Sequence, residues 1–221
     1  LWVSQGFTPP HMLHIDTPYH KQTGVSRKKI CFLKMIKHIF CTGQPGCGKT
    51  TLVRRCVREI VSQHVQVTGF VTDEVLSTKS TRTGFDVVSL SSNGEDDRRG
   101  ILSRKNKYET SSNVVWKKTG KYHVNVTEFE RIALSAMRSS TEKKPCVLIV
   151  DEVGRMELHS ESFRHLMKKL LNTPTVHVVG ALTAPVYGHR VPFCDEISSR
   201  DDVEVVKITV KTRDVATRRR I

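Results

Sequence analysis

The sequence has no long hydrophobic run and few aromatic residues. Its apolar stretches, such as Val147 to Val150, span only a few residues, whereas a membrane-crossing helix needs about 20. We therefore expect no membrane segment. Aromatic residues make up 6% of the chain, but 38% of the residues are hydrophobic and 26% are charged, a balance that excludes a wholly disordered chain. With 221 residues, one domain with an appendage is expected.

The cysteines also lack a pattern. The chain has six of them, with neither a CxxC pair nor the dense spacing of a secreted disulfide scaffold. Reduced thiols in a cytoplasmic protein are therefore expected.

Acidic residues are fewer than basic ones, 22 against 36, which gives a formal charge of +14. A positive field favours anionic partners, such as nucleotide phosphates or nucleic acid. The basic residues are densest from Arg98 to Lys121. We favour a solvated basic surface with one small anionic ligand over nucleic-acid binding, because few aromatic residues accompany this segment.

Residues 1–34 show no sustained periodicity. We expect them to be a disordered N-terminal arm or a translated upstream segment, with Met35 as the natural start and residues 35–221 as the folded domain. From Met35 onward, short apolar runs alternate with helical patterns, which is typical of a parallel sheet with crossover helices.

The pattern predicts particular elements. Strands are expected at Ile39–Cys41, Val65–Thr72, Cys146–Val150, Val176–Val179 and Val203–Val210. Helices are expected after Lys49, after a capping box formed by Thr127 and Glu130, and after the N-cap Ser160. Residues 73–122 interrupt the alternation, and we interpret them as an antiparallel hairpin insertion.

The segment Gly43-Gln44-Pro45-Gly46-Cys47-Gly48-Lys49-Thr50 matches G-x-x-x-x-G-K-[ST], and Thr51 follows it. In this phosphate-binding loop (P-loop), glycines let backbone N–H groups surround an anion, and the following helix directs its positive end at the same phosphates. We expect Lys49 to reach the β- and γ-phosphates and the Thr50 hydroxyl to bind Mg²⁺.

A P-loop needs a carboxylate at the end of a neighbouring strand. Val147-Leu148-Ile149-Val150-Asp151-Glu152 supplies two. We expect Asp151 to hold Mg²⁺ and Glu152 to orient or deprotonate the attacking water. Arg155 is a candidate for neutralising charge at the γ-phosphate, while Thr183, Asp73 and Glu74 are weaker candidates near the same site.

Asp151 to Gly154 also fits the D-x-x-G of GTP-binding switches. Such switches read guanine with an [NT]-K-x-D sequence that follows a later strand. The nearest match, Asn106-Lys107-Tyr108-Glu109, ends in the wrong acid and precedes Asp151. The sequence therefore disfavours a guanine-specific switch.

With these motifs assembled, the chain resembles the thermophile-type nucleoside-triphosphatase family from about Ile36 to Asp214. The resemblance rests on the P-loop, on the segments 67–75 and 84–88, and most specifically on Asp151-Glu152-Val153-Gly154-Arg155-Met156-Glu157-Leu158. Two positions depart from the family pattern: Arg155 replaces the usual Lys, and Thr212 replaces the usual Asn.

The resemblance implies a RecA-like α/β P-loop fold, with a mostly parallel sheet flanked by helices. It also implies Mg²⁺-dependent hydrolysis of several nucleoside triphosphates, with little base preference. Carried over by position, the nucleotide-binding segments are Gly43 to Thr50 and Val147 to Gly154. A nucleotide or nucleoside kinase and an RNA-binding ATPase are the alternatives, and a monomer is expected.

Overall fold

A computed structural model of the chain describes residues 35–106, 114–141, 146–185 and 189–212. The predictions for residues 1–34 and for Asp214 lie outside these ranges. Within them, nine strands form one sheet in the order β5-β6-β4-β3-β2-β7-β8-β1-β9. The strands are β1 (His38–Gly43), β2 (Val67–Leu76), β3 (Arg82–Leu90), β4 (Asp96–Arg104), β5 (Trp116–Thr119), β6 (Tyr122–Asn125), β7 (Cys146–Val153), β8 (Val176–Thr183) and β9 (Val203–Lys207).

Strand β2 joins a parallel half of the sheet to an antiparallel half. Its first residues pair parallel with β7, which continues through β8 and β1 to β9. Its length pairs antiparallel with β3, followed by β4, β6 and β5. The parallel core is as predicted, but the antiparallel insertion is larger than a hairpin because it extends the same sheet. Asp73 and Glu74, expected to end the second strand, lie inside it.

The helices are α1 (Lys49–Ser62), α2 (Val126–Phe129), α3 (Ser135–Arg138), α4 (Glu161–Leu171) and α5 (Pro192–Ser198). A π-helical turn, Glu130–Leu134, joins α2 to α3. Ser160 caps α4 as predicted, since its hydroxyl accepts a hydrogen bond from the Phe163 backbone N–H.

The predicted capping box at Thr127 and Glu130 is wrong. Asn125 caps α2 instead, because its side-chain oxygen accepts from the Glu128 backbone N–H at 2.9 Å. Thr127 Oγ1 accepts from the Val115 backbone N–H, and Glu130 accepts from the Ser160 hydroxyl. Both side chains of the expected box are therefore engaged by other segments.

Each face of the sheet has its own apolar core. On one face, α1 contributes Val53 and Val57, which pack in a cluster with residues such as Ile149. On the other face, Phe70 contacts Phe129 and Phe163 edge to face, with ring centroids 5.5 and 6.0 Å away. Packing on both faces holds β1, β2 and β7 in place. The predicted site residues lie on these strands or follow them directly.

The described ranges bear on two further predictions, that the chain has no membrane segment and that its cysteines are reduced. No helix there is long and apolar enough to cross a membrane. The five cysteines of the described part, Cys41, Cys47, Cys56, Cys146 and Cys194, are free thiols.

Candidate active site

The P-loop connects the end of β1 to the start of α1. Gly46 and Gly48 have φ angles of 78° and 100°, values that favour glycine because other residues meet steric conflict there. Gly48 is also the N-cap of α1. At Gly43, a Cβ atom would lie 2.4 Å from the Ile208 backbone oxygen. The loop conformation thus depends on three of its glycines: Gly43 and Gly48, which the motif requires, and Gly46, which stands at a variable position of the motif.

Lys49 lies folded back along the loop. Its ammonium Nζ donates to the Gly43 backbone oxygen at 3.2 Å and lies 4.0 Å from Glu152 Oε1. The side chain is only 9% exposed. A buried positive charge on the inner surface of a phosphate-binding loop is well placed to meet an anion.

Asp151 is fully buried, and one of its two oxygens is saturated. Its Oδ2 accepts from the Thr50 hydroxyl at 3.0 Å, from the Thr72 backbone N–H at 2.9 Å and from the Thr72 hydroxyl at 2.8 Å. Burial raises the pKa of Asp151 to about 6, although the hydrogen bonds from Thr72 and Thr50 act in the opposite direction. Thr72 was not singled out in the sequence, since a threonine inside a strand carries no distinctive signal.

The other oxygen, Asp151 Oδ1, is buried and has no hydrogen-bond partner among the described residues. An unpaired buried carboxylate oxygen costs free energy, which a cation would remove. Carboxylate and hydroxyl oxygens are the ligands that Mg²⁺ prefers, and the Thr50 hydroxyl is directly adjacent to Asp151. The residues present therefore fit a magnesium ion.

Glu152 is the next residue, and it faces the cleft. Its side chain is 33% exposed, and its Oε1 accepts a short hydrogen bond from the Thr183 hydroxyl at the end of β8. Lys49 and Thr183 thus hold one carboxylate oxygen from two sides. The parallel pairing of β7 with β8 brings the two strand ends together.

Glu157 is a buried carboxyl group beside Glu152 that the sequence analysis did not single out. A Cβ atom on Gly154 would lie 2.8 Å from Thr183 Oγ1, 2.9 Å from Glu157 Oε2 and 3.3 Å from Glu152 Cγ. These three side chains therefore converge on Gly154. Burial, followed by the charge of Glu152, raises the pKa of Glu157 to about 8, so this group is protonated at neutral pH.

The weaker acidic candidates, Asp73 and Glu74, also line the cleft, but both are paired with arginine side chains. Asp73 accepts from Arg54 at 2.7 Å and from Arg99 at 2.5 Å. Burial raises its pKa, but these two arginines outweigh that effect and lower it. Glu74 pairs with Arg82 across the β2–β3 hairpin. Both carboxylates are therefore held by arginine side chains, whereas Glu152 contacts Lys49 and Thr183 beside the P-loop.

Arg155 lies at the rim of the cleft. Its side chain is exposed and donates to the His189 backbone oxygen at 3.0 Å. The structure thus places it beside the site, with its guanidinium group directed at a neighbouring segment.

The predicted nucleotide-binding residues include some that line the cleft, some that shape the loop, and some that are buried in the sheet. A cleft of about 550 Å³ is lined by Pro45, Gly46, Gly48, Lys49, Thr50, Thr51, Glu152 and Gly154. Gly43, Gln44 and Cys47 shape the loop outside this lining. Leu148, Ile149, Val150 and Val153 are fully buried, and Val147 is partly buried in the core. Their side chains support the strand that positions Asp151 and Glu152.

The arginines of the basic stretch near Arg98 are paired with acidic side chains within the described ranges. Arg99 contacts Asp73 and Asp86, and Arg104 contacts Asp86 at 2.5 Å. Paired arginines leave less free charge for phosphate contacts, which weakens the case for a nucleic-acid surface here.

Comparisons with known proteins find relatives over most of the chain. A family model described as NTPase matches residues 38–220. The mouse cancer-related nucleoside-triphosphatase homolog is 38% identical over 184 residues, which cover 81% of this chain and 92% of that protein.

Two solved structures are also similar. The solution structure of a human cancer-related nucleoside triphosphatase is 36% identical, with a TM-score of 0.66, and the match covers 82% of this chain and 94% of the other. The crystal structure of THEP1 from Aquifex aeolicus is 33% identical, with a TM-score of 0.64 and coverage of 82% and 95%. Because the family model and relatives above 30% identity cover most of the sequence, the chain belongs to the nucleoside-triphosphatase family.

Proposed function

We propose that this chain hydrolyses nucleoside triphosphates to the diphosphate and phosphate, using Mg²⁺ and showing little preference for the base. The observation that carries the proposal is the convergence of Lys49, Asp151 and Glu152 at one P-loop. The printed names of the relatives, which are nucleoside triphosphatases, support the same activity.

The P-loop supplies the phosphate contacts. Backbone N–H groups around Gly46 and Gly48 and the N-terminus of α1 favour negative charge. Lys49 exchanges its contact with the Gly43 oxygen for the β- and γ-phosphates, and its charge stabilises the leaving diphosphate.

Thr50 and Asp151 are the proposed ligands of the metal, Asp151 through its unpartnered Oδ1. Mg²⁺ bound there neutralises charge on the β- and γ-phosphate oxygens. Thr72 fixes the other oxygen of Asp151 and so orients the carboxylate.

Glu152 is the proposed general base. One of its oxygens takes a proton from water while the water oxygen attacks the γ-phosphorus, and the bond from that phosphorus to the β-bridging oxygen breaks. Thr183 orients the carboxylate from behind. Arg155 becomes catalytic only if it leaves the His189 oxygen, so we assign it a secondary role in neutralising charge.

Two features support the remaining assignments. We propose a monomer, because Lys49, Asp151 and Glu152 of a single chain meet at one P-loop. The free thiols suit a reducing compartment such as the cytoplasm. Size-exclusion chromatography with light scattering checks the monomer, and a larger species at micromolar concentration would contradict it.

The test is phosphate release by the purified protein from ATP, GTP, CTP and UTP and from their diphosphates, with Mg²⁺ or with EDTA. We expect release from all four triphosphates at similar rates, and loss of release in EDTA. Release from one triphosphate alone would contradict the broad base range. Label that moves from γ-labelled ATP to an added nucleoside or nucleotide, instead of to free phosphate, would favour a kinase.

A further inference from the structure

The cleft extends well beyond the groups that hydrolysis requires. Beyond the P-loop and Glu152, it is lined by side chains of the antiparallel half of the sheet and of the segment after β7. We use the name outer wall for Arg82, Phe85, Leu102, Thr119, Tyr122 and Met156. Asp73 and Glu74 line the cleft next to it, and both are paired with arginine side chains.

In the order of the sheet, most of the outer wall lies beyond β7 and Glu152 as seen from the P-loop. In the sheet, β1 with the P-loop is followed by β8, then by β7 with Glu152, and then by β2, β3, β4 and β6. A triphosphate that meets Lys49 and Glu152 directs its γ-phosphate towards β7. In the proposed function its sugar and base then extend away from the outer wall, which apart from Met156 belongs to the strands beyond β2.

The chemistry of the outer wall suits a flat, negatively charged molecule. Phe85 and Tyr122 pack edge to face, with ring centroids 5.5 Å apart. The Arg82 guanidinium lies 5.4 Å from the Phe85 ring centre, and Lys121 Nζ lies 5.7 Å from that of Tyr122. Aromatic rings provide stacking surfaces for a nucleobase. The Lys121 ammonium group beside Tyr122 attracts a phosphate, whereas the charge of Arg82 is already paired with Glu74.

One hydrogen-bond donor of Arg82 is unpaired among the described residues. Its guanidinium pairs with Glu74, but its Nε is buried and has no partner in the part of the chain that the structure describes. An unpaired buried donor costs free energy, and a ligand oxygen in the cleft would remove that cost. Water activation by Glu152 uses none of these groups.

We propose that the outer wall binds a second nucleotide, of the nucleoside monophosphate class, while the P-loop holds the triphosphate. The inference rests on the proposed function for the position of the triphosphate. A ligand at this position occupies the approach of the attacking water. It therefore slows hydrolysis without competing for the P-loop.

The first test is binding by calorimetry. The protein is saturated with Mg²⁺ and a non-hydrolysable ATP analogue, and AMP, GMP or ribose 5-phosphate is then titrated in. We expect AMP and GMP to bind at one further site, at least tenfold more tightly than ribose 5-phosphate, which lacks a base. No further site, or equal binding of ribose 5-phosphate, would overturn the proposal.

Variants locate the site. Tyr122→Leu removes the ring and keeps apolar volume, so AMP affinity should fall at least tenfold, and by more than any change in analogue affinity. Phe193→Leu is the matched control, since Lys168 lies 5.5 Å from that ring centre and Phe193 is not part of the cleft lining. A weakening of analogue binding equal to that of AMP would show that the wall holds the triphosphate's own base, and would overturn the proposal.

Kinetics give an independent readout. AMP should lower kcat for ATP hydrolysis and leave KM nearly unchanged. A rise in KM with constant kcat would mean that AMP competes for the P-loop, and would contradict the proposal. Failure of the wild-type protein to release phosphate is a separate result: it would refute the proposed hydrolysis, whereas the calorimetric test needs analogue binding and no turnover.

Discussion

Glu157 gives a pH-dependent contribution to stability whose sign follows from its surroundings. The side chain is 4% exposed, and burial beside Glu152 raises its pKa from 4.5 to about 8. Between these values the folded protein keeps a proton that the unfolded chain releases. The free energy of unfolding therefore falls as pH rises, by about 1.4 kcal/mol per pH unit from this group.

Glu157→Gln removes the proton-binding group with little change in shape. The variant should match the wild type or be slightly less stable near pH 5, and should gain about 4 kcal/mol relative to it by pH 8. Urea unfolding without nucleotide, at several pH values, measures the difference. Asp151, whose pKa is raised to about 6, contributes to both proteins and largely cancels.

Glu95→Gln is the control, because Glu95 is exposed in the turn before β4. Its stability curve should run parallel to that of the wild type. If the Glu157→Gln curve is also parallel to the wild type, Glu157 is ionised in the folded protein, and the reasoning about its burial is refuted.

Four further predictions concern the P-loop, the base, the core and the N-terminal segment. Lys49→Ala should abolish phosphate release and weaken triphosphate binding, and turnover equal to the wild type would contradict the P-loop assignment. Thr183→Ala should lower kcat roughly 10- to 100-fold with a small change in KM, because Glu152 loses a positioning contact; steady-state kinetics show whether KM changes instead. Phe70→Ala should cost about 3 to 5 kcal/mol in urea unfolding, since the ring is fully buried between two other rings; a cost below about 1 kcal/mol would argue against this core. Removal of residues 1–34 should leave activity and Tm nearly unchanged, because that segment shows no core periodicity; a large loss of either would show that it packs on the domain.

The features predicted correctly from the sequence are those set by local patterns. The P-loop follows from glycine spacing between a strand and a helix. The buried strand that ends at Asp151 follows from a continuous apolar run, and the cap at Ser160 follows from its position before an amphipathic helix.

The features that the sequence analysis missed depend on contacts between distant segments. Strand β2 extends to Leu76 because β3 pairs with it from Gly69 to Leu76. The polar stretches that form β4 to β6 show no clear alternation. Asn125 replaces Thr127 as a cap because the Val115 backbone engages Thr127. Glu157 resembles a surface acid in sequence, and only the packing around Gly154 buries it.

The central claim is that Glu152 activates water at a P-loop whose metal ligands are Thr50 and Asp151. The most direct measurement is single-turnover phosphate release by Glu152→Gln, together with its affinity for Mg²⁺ and a non-hydrolysable ATP analogue. We expect binding close to that of the wild type and a rate lower by about two to four orders of magnitude, a loss at least tenfold greater than that of Glu74→Gln. A rate near the wild type in Glu152→Gln, or a larger loss in Glu74→Gln, would contradict it.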